Sequence, residues 1–286
     1  MQIRGAHELI DMGGGARLER FGDRLVDRPH PLALGARRDP VRWRAADLRF
    51  DRDGGWTGPA VADGPWPIEL VGLSLELRPT DAGQVGLFPE HLAVLPWLRA
   101  RVDERVASST SQAREAPAVL NLFAYTALAT LAMAAAGASV THVDSARPTV
   151  AWARHNAERS NMADRPIRWI VDDALAFTER EGRRGRRYAG VVLDPPSYGH
   201  AQGGRSWRLE HDLGSLLEAA TAVLDPDGFV LLTAHTPAFD GDRLAEDLAR
   251  ALSRSAGTIG RGELELATAD GRRLELGAFA RWPGGA

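Results

Sequence analysis

From residue 118 onward the hydrophobic positions come in short unbroken runs separated by longer mixed stretches. "AVLNLFAY", "ASVTHVD", "IRWIVDD", "YAGVVLD" and "GFVLLTAH" are apolar on successive residues rather than on every second one. That is the pattern of parallel strands covered on both faces. Between and after them, "ALATLAMAAAG", "PTVAWARHNAERSN", "ALAFTEREGRRG" and stretches over about 207–224 and 241–256 read as helices. Strands alternating with helices specify an α/β domain with a parallel sheet and helices on both faces. The chain closes with "GELELATADGRRLELGAF", two alternating strands around an Asp270-Gly271 turn, which adds an antiparallel edge.

Residues 1–80 have a different texture. "ELIDMGGGARLERFG", "LVDRPHP", "WRAADLRF", "DRDGGW" and "IELVGLSLELRPT" are short alternating runs cut by Gly, Asp and Pro, which predicts a small antiparallel β-rich domain built of hairpins. Glycines 13–15 stand between two strand-like runs and open no helix, so they predict a turn rather than a phosphate loop. A bridging helix is expected near "FPEHLAVLPWLRARVDERV", with Pro89 at its first position and Glu90 favourable to its dipole. The expected organisation is an N-terminal domain with bridging helix over 1–106, a linker over 107–117, and an α/β domain over 118–286.

Composition narrows the chemistry. A chain of 286 residues with 44% hydrophobic residues can bury a full α/β core beside a smaller domain. No stretch reaches the roughly 18 to 20 unbroken apolar residues of a membrane helix. The start, MQIRGAHELID, has no signal-peptide pattern, so a cytoplasmic location is expected. Cysteine is absent, which excludes disulfides, thiolate metal ligands and thiol nucleophiles. All 35 basic residues are arginine and the net charge is −3. An acidic balance lacks the footprint usual for a nucleic-acid binder. The cluster Arg183, Arg184, Arg186 and Arg187 reads first as a solvated turn.

The chemistry-bearing residues stand where strands end. In "VVLDPPSYGH", residues 191–200, an apolar run ends at Asp194, and Pro195 and Pro196 then remove two backbone donors and fix φ. Ligands of open α/β sheets bind at that edge. The first strand-to-helix turn holds Asn121, Leu122, Phe123, Ala124, Tyr125, Thr126 and Ala127, with no glycine. A pyrophosphate cradle uses glycine there for close backbone approach. Its absence argues against a dinucleotide and less against a ligand without phosphate, such as S-adenosylmethionine. The second strand ends at Asp144, about 20 residues on, where a carboxylate can take two ribose hydroxyls. The third ends in Asp172-Asp173, placed to meet an adenine.

"VLNLFAYT", "GASVTHVDSA", "WARHNAERS", "IRWIVDDAL", "LDPPSYGH" and "LLTAHTPAF", preceded by "GLFPEH", resemble bacterial S-adenosylmethionine-dependent methyltransferases related to the 23S ribosomal RNA cytosine and guanine enzymes. The resemblance covers nearly the whole chain, without the PUA domain of the cytosine enzymes. It implies a Rossmann-like class I methyltransferase fold, with a mostly parallel seven-stranded sheet ending in an antiparallel hairpin. It also implies cofactor contacts by Phe123, Tyr125, Thr126, Asp144, Asp173 and Asp194, with Asn121, Ala124, Ser145 and Ala174 beside them. Two positions depart from the family. Ala127 and Leu128 stand where it usually has glycine, and no cysteine is present for the adduct used in cytosine C5 methylation.

A sulfonium methyl is already activated, so the protein has mainly to align an acceptor and exclude water. Asp194 and the carbonyl of Pro195 can hold N–H donors, and Tyr198 can stack on a planar acceptor or close over the cofactor. Phe88, His200 and His235 are further candidates for substrate contact, either histidine being able to remove a proton. Three functions follow: methylation of an rRNA base nitrogen, methylation of a small molecule in specialised metabolism, or a degenerate cofactor-binding protein. The expected partners are an rRNA or small-molecule substrate and a second copy of the chain as a homodimer, with no membrane and no metal.

Overall fold

The computed structural model describes residues 7–108, 115–200 and 206–283. The chain forms two compact units, one of Met1–Glu90 with Glu265–Leu276, the other of His91–Leu264 with Gly277–Ala286.

The first unit begins with strands β1 (His7–Gly13), β2 (Ala16–Phe21) and β3 (Arg24–Pro29). The turn between β1 and β2 puts Gly14 and Gly15 at φ 61° and 73°, the left-handed pair that a two-residue hairpin needs. Helix α1 (Pro40–Arg44) then precedes β4 (Leu48–Asp51) and β5 (Gly55–Thr57). The five strands lie in sequence order, and β3 and β4 run parallel, Val26 beside Leu48. The expected arrangement was all antiparallel; the long connection through α1 has room to cross back to the same end of the sheet, which a hairpin cannot do. Strands β6 (Trp66–Leu70) and β7 (Leu73–Leu77) form a separate antiparallel pair. Residues 265–276 join this unit through Arg272, which pairs with buried Asp11 at 2.5 Å while Asp11 also accepts from Trp43 Nε1 at 2.7 Å.

The second unit opens with α2 (Leu95–Ser108) and then follows the alternation read from the sequence. Its elements are β8 (Ala118–Leu122), α3 (Leu128–Ala135), β9 (Ser139–Asp144), α4 (Arg147–Arg159), β10 (Ile167–Val171), α5 (Ala174–Arg183) and β11 (Tyr188–Leu193). A short ribbon of β12 (Tyr198–His200) and β13 (Ser206–Arg208) follows, then α6 (Leu209–Ala222), β14 (Leu224–Ala234), α7 (Gly241–Leu252), β15 (Gly260–Ala267) and β16 (Arg273–Trp282), of which residues 265–267 and 273–276 are counted with the first unit. The sheet order is β10-β9-β8-β11-β14-β16-β15, parallel from β10 to β14 and antiparallel between β14 and β16. The bridging helix α2 packs with this unit: its Trp97 meets Phe229 edge-on at 5.9 Å. The division into compact units therefore falls at 90/91, before that helix. Residues 109–114 of the expected linker lie outside the described residues.

The core is formed by strands buried on both faces, with Leu120, Leu122, Val191, Leu193, Val230 and Leu232 all fully enclosed. Strand β8 sits between β9 and β11, so the chain winds one way to β10 and then restarts on the other side. The carboxyl ends of β8 and β11 thus flank a topological switch point, where open α/β sheets form their binding crevice.

Candidate active site

The loop after β8 is held in an unusual backbone. Phe123, Tyr125 and Ala127 have φ of 54°, 49° and 83°. For residues with a Cβ this conformation costs about 1–2 kcal/mol each. Neighbouring groups hold the loop there. Ala124 N–H donates to Val143 O at 3.1 Å, Tyr125 N–H to Asp144 Oδ2 at 3.0 Å, and Asn156 Nδ2 to the Thr126 carbonyl at 2.9 Å.

Asp144, at the end of β9, accepts from Tyr125 N–H and, on its other oxygen, from Ala146 N–H at 3.0 Å. Burial raises its pKa, and these two backbone bonds oppose the rise. Each carboxylate oxygen keeps a further acceptor site, which suits a ribose diol. Ser145 beside it is half-buried. At the end of β10, Asp173 caps α5 by accepting from Ala176 N–H at 2.8 Å, and Asp172 pairs with Arg180. Ala174 turns its side chain into the core.

Asn121 is placed differently from its neighbours in the sequence. Its side chain is buried and donates to Thr130 Oγ1 at 2.8 Å, which in turn contacts His142 Nδ1 at 2.9 Å. It ties β8, α3 and β9 together inside the core rather than facing the strand-end row.

At the end of β11 the Asp-Pro-Pro-Ser-Tyr corner is fixed from several sides. Thr233 Oγ1 donates to Asp194 Oδ1 at 2.5 Å, Trp207 Nε1 donates to the Pro196 carbonyl at 2.7 Å, and the Ser197 and Thr236 hydroxyls lie 2.5 Å apart. Tyr198 is 79% exposed. It lines a cleft of about 430 Å³ with Ser197, Trp207, Arg208, Glu210 and Thr236. Trp207 also meets Phe123 of the β8 loop at 5.2 Å between ring centroids, so the cleft adjoins the switch point.

Two histidines converge on Asp194. His235, immediately after β14, places Nε2 3.2 Å from Oδ1, and His91, in a 3-10 turn over Pro89–Ala93, places Nε2 3.6 Å from Oδ2. The two Nε2 atoms are 3.0 Å apart. Burial pushes the Asp194 pKa up, but the His91 and His235 charges and the hydrogen bonds from His235 and Thr233 outweigh it, so the group lies well below the usual carboxylate range. The corner holds an anion ringed by imidazoles. His91 ends the run "GLFPEH" but was not singled out as a site residue, because its partners are over a hundred residues away. Trp207 and Glu210 were also not singled out, since they line the cleft only once the chain is folded. Phe88 lies in the first unit, partly buried, and the side chain of His200 lies outside the described residues.

A switch-point crevice with an acid after the second strand and an Asp-Pro-Pro corner after the fourth is the arrangement of a nucleoside-binding α/β enzyme. Residues 91–263 match the family model described as S-adenosylmethionine-dependent methyltransferase, and the chain belongs to that family. The S-adenosylmethionine-dependent methyltransferase from Agrobacterium tumefaciens superposes with a TM-score of 0.88 at 36% identity, over 98% of this chain and 91% of its own. The ribosomal RNA large subunit methyltransferase K/L of Methylococcus capsulatus is 34% identical over 44% of this chain and 17% of its own length. That of Pseudomonas paraeruginosa is 28% identical over 78% of this chain and 28% of its own. The chain thus spans less than a third of the length of these curated relatives. The expected fold and the expected cofactor, S-adenosyl-L-methionine, are both borne out.

Proposed function

We propose that the chain transfers the methyl group of S-adenosylmethionine to a nitrogen of a ribosomal RNA base at the corner formed by Asp194, Pro195 and Tyr198. The observation that carries this reading is Tyr198, exposed on a cleft that it shares with Trp207, on the segment that leaves the sheet at Asp194. A flipped base is held in such sites by stacking and by hydrogen bonds to its edge. The names of the relatives point the same way. Phe123, Tyr125 and Thr126 border the cofactor in this reading, with Asp144 on its ribose and Asp173 near its adenine. The acceptor nitrogen attacks in line, a carbon–nitrogen bond forms as the carbon–sulfur bond breaks, and the sulfur keeps the electron pair as a neutral thioether. The nitrogen's proton leaves to solvent through the polar groups around Asp194. A cytoplasmic location follows from the substrate.

Asp194→Ala should abolish transfer while the fold survives. Tyr198→Ala should raise KM through lost stacking of about 1–3 kcal/mol, and Tyr198→Phe should be nearly silent. A full-rate but destabilised Asp194→Ala protein would move the active site elsewhere. Mass spectrometry of rRNA nucleosides from cells with and without the gene tests the acceptor: one methylated base should disappear. A net charge of −3 favours a second reading, a small-molecule acceptor. An unchanged nucleoside profile would give that reading the lead.

A further inference from the structure

No metal is expected from a sequence that lacks thiolate ligands, yet the fold gathers His91, Asp194 and His235 into one cluster whose ligating atoms all lie within 4.8 Å of one another. We propose that these three side chains form a binding site for a first-row divalent cation of the zinc type, held by two imidazole Nε2 atoms and one carboxylate. The proposal takes its location from the acceptor corner proposed above.

The spacing carries the argument. Ligands bonded to such a metal at about 2.1 Å stand about 3.0 Å apart on an octahedral edge and about 3.4 Å apart on a tetrahedral one. The nitrogens here are 3.0 Å apart, and the nitrogen–oxygen separations are 3.2 and 3.6 Å. The three ligands come from three separate segments, the 3-10 turn at 89–93 and the ends of β11 and β14. No local sequence propensity brings them together; the fold does. Their side chains are only 16–25% exposed, so a cation would be partly shielded from water. Thr233 donates to Asp194 Oδ1, the outer-shell bond that orients a ligating carboxylate. Two imidazoles with one carboxylate suit zinc, iron(II) or cobalt(II) and disfavour magnesium and calcium, which prefer all-oxygen shells. Three protein ligands leave further positions for water or a substrate oxygen, and a cation there would act as a Lewis acid.

Cobalt(II), followed by its visible d–d absorption, is the probe, with zinc(II) competition by calorimetry. The protein is first stripped with a chelator, and S-adenosylmethionine binding and thermal melting serve as controls. The wild type should bind one equivalent. His91→Ala and His235→Ala should each weaken binding at least 100-fold with melting unchanged. Thr233→Val should weaken it about 10- to 100-fold. No saturable cobalt(II) binding, or equal binding by the wild type and the His91→Ala/His235→Ala double variant, would reduce the cluster to a hydrogen-bonded pair and overturn the proposal. Metal binding without S-adenosylmethionine binding would count against the methyltransferase reading and still support the cation site.

Discussion

Ala127 shows how a single residue can carry both a sequence departure and a structural cost. It stands where the family usually has glycine, and its φ of 83° is the conformation that makes glycine useful there. It is fully buried, so its methyl group returns part of what the backbone loses. Relief of about 1–2 kcal/mol of left-handed strain against about 0.8 kcal/mol of lost methyl burial leaves Ala127→Gly close to wild-type stability. Ala132→Gly removes an equally buried methyl from the interior of α3, where the backbone is right-handed. That change should cost about 1–2 kcal/mol. Urea midpoints at equal m-values compare the two, and equal losses would mean that the loop conformation stores no strain. Asp144 makes a second case. Asp144→Ala should weaken S-adenosylmethionine binding about 30- to 100-fold, the loss of a charged two-point contact. Because the carboxylate also holds the Tyr125 and Ala146 amides, calorimetry should be paired with thermal melting. A variant that melts early but binds normally would assign Asp144 to the loop alone.

Strand pairing depends on one close approach. Gly190 of β11 lies opposite Phe229 of β14, and a Cβ at 190 would come within 2.2 Å of the phenyl ring. The same ring takes the edge contact from Trp97 of α2, so it is held on a second side and cannot simply swing away. Gly190→Ala should therefore destabilise by about 1–3 kcal/mol through overpacking. Phe229→Leu in the same chain should recover part of that loss, a non-additivity expected of residues in contact. A Gly190→Ala protein with wild-type melting temperature would show that the ring has room to move. In the sequence, "YAGVVLD" reads as a strand whether or not the glycine is spaced for a ring. The β12–β13 ribbon behind Tyr198 was likewise hidden, since three-residue strands carry too few positions to show a period.

Across the whole molecule, and among the described residues, burial lowers the pKa of two histidines. His142 in the second unit is lowered to about 3 by burial and by the Arg154 charge. His30 in the first is lowered to about 4, by burial first, then by the Arg17 and Arg28 charges against an opposing Glu19. The unfolded chain binds a proton at each near the ordinary pKa of about 6.5, which the folded chain does not. Stability is therefore complete above that value and falls as the pH drops below it, toward each folded pKa. For His142 the slope is about 1.4 kcal/mol per pH unit. Denaturant melts between pH 7.5 and 5 should show this decline, and His142→Gln should flatten it. A decline that begins only below pH 4.5 would assign the acid sensitivity to carboxylates. The arginine cluster at 183–187 belongs to this scale too. Arg184 pairs with Glu181 at 3.1 Å and Arg183 with Glu179 at 4.0 Å, which supports the reading of a solvated turn over a nucleic-acid contact.

Residue order alone determined the alternation of strands and helices from 118 on, the antiparallel end and the row of acids at the strand ends. Burial on both faces writes itself as unbroken apolar runs, and a strand terminator must be polar or proline. At position 127 the sequence showed only that alanine stands where the family usually has glycine; the left-handed backbone there came with the structure. Tertiary structure decided what those ends face. The order in which β8, β9 and β11 lie side by side, the turn of Asn121 into the core and the parallel β3–β4 pair depend on which faces and edges meet. So does the meeting of His91, Asp194 and His235, in which both contacts of His91 span over a hundred residues of chain. Periodicity reports whether a side chain is buried; it carries no information about which distant side chain is buried with it.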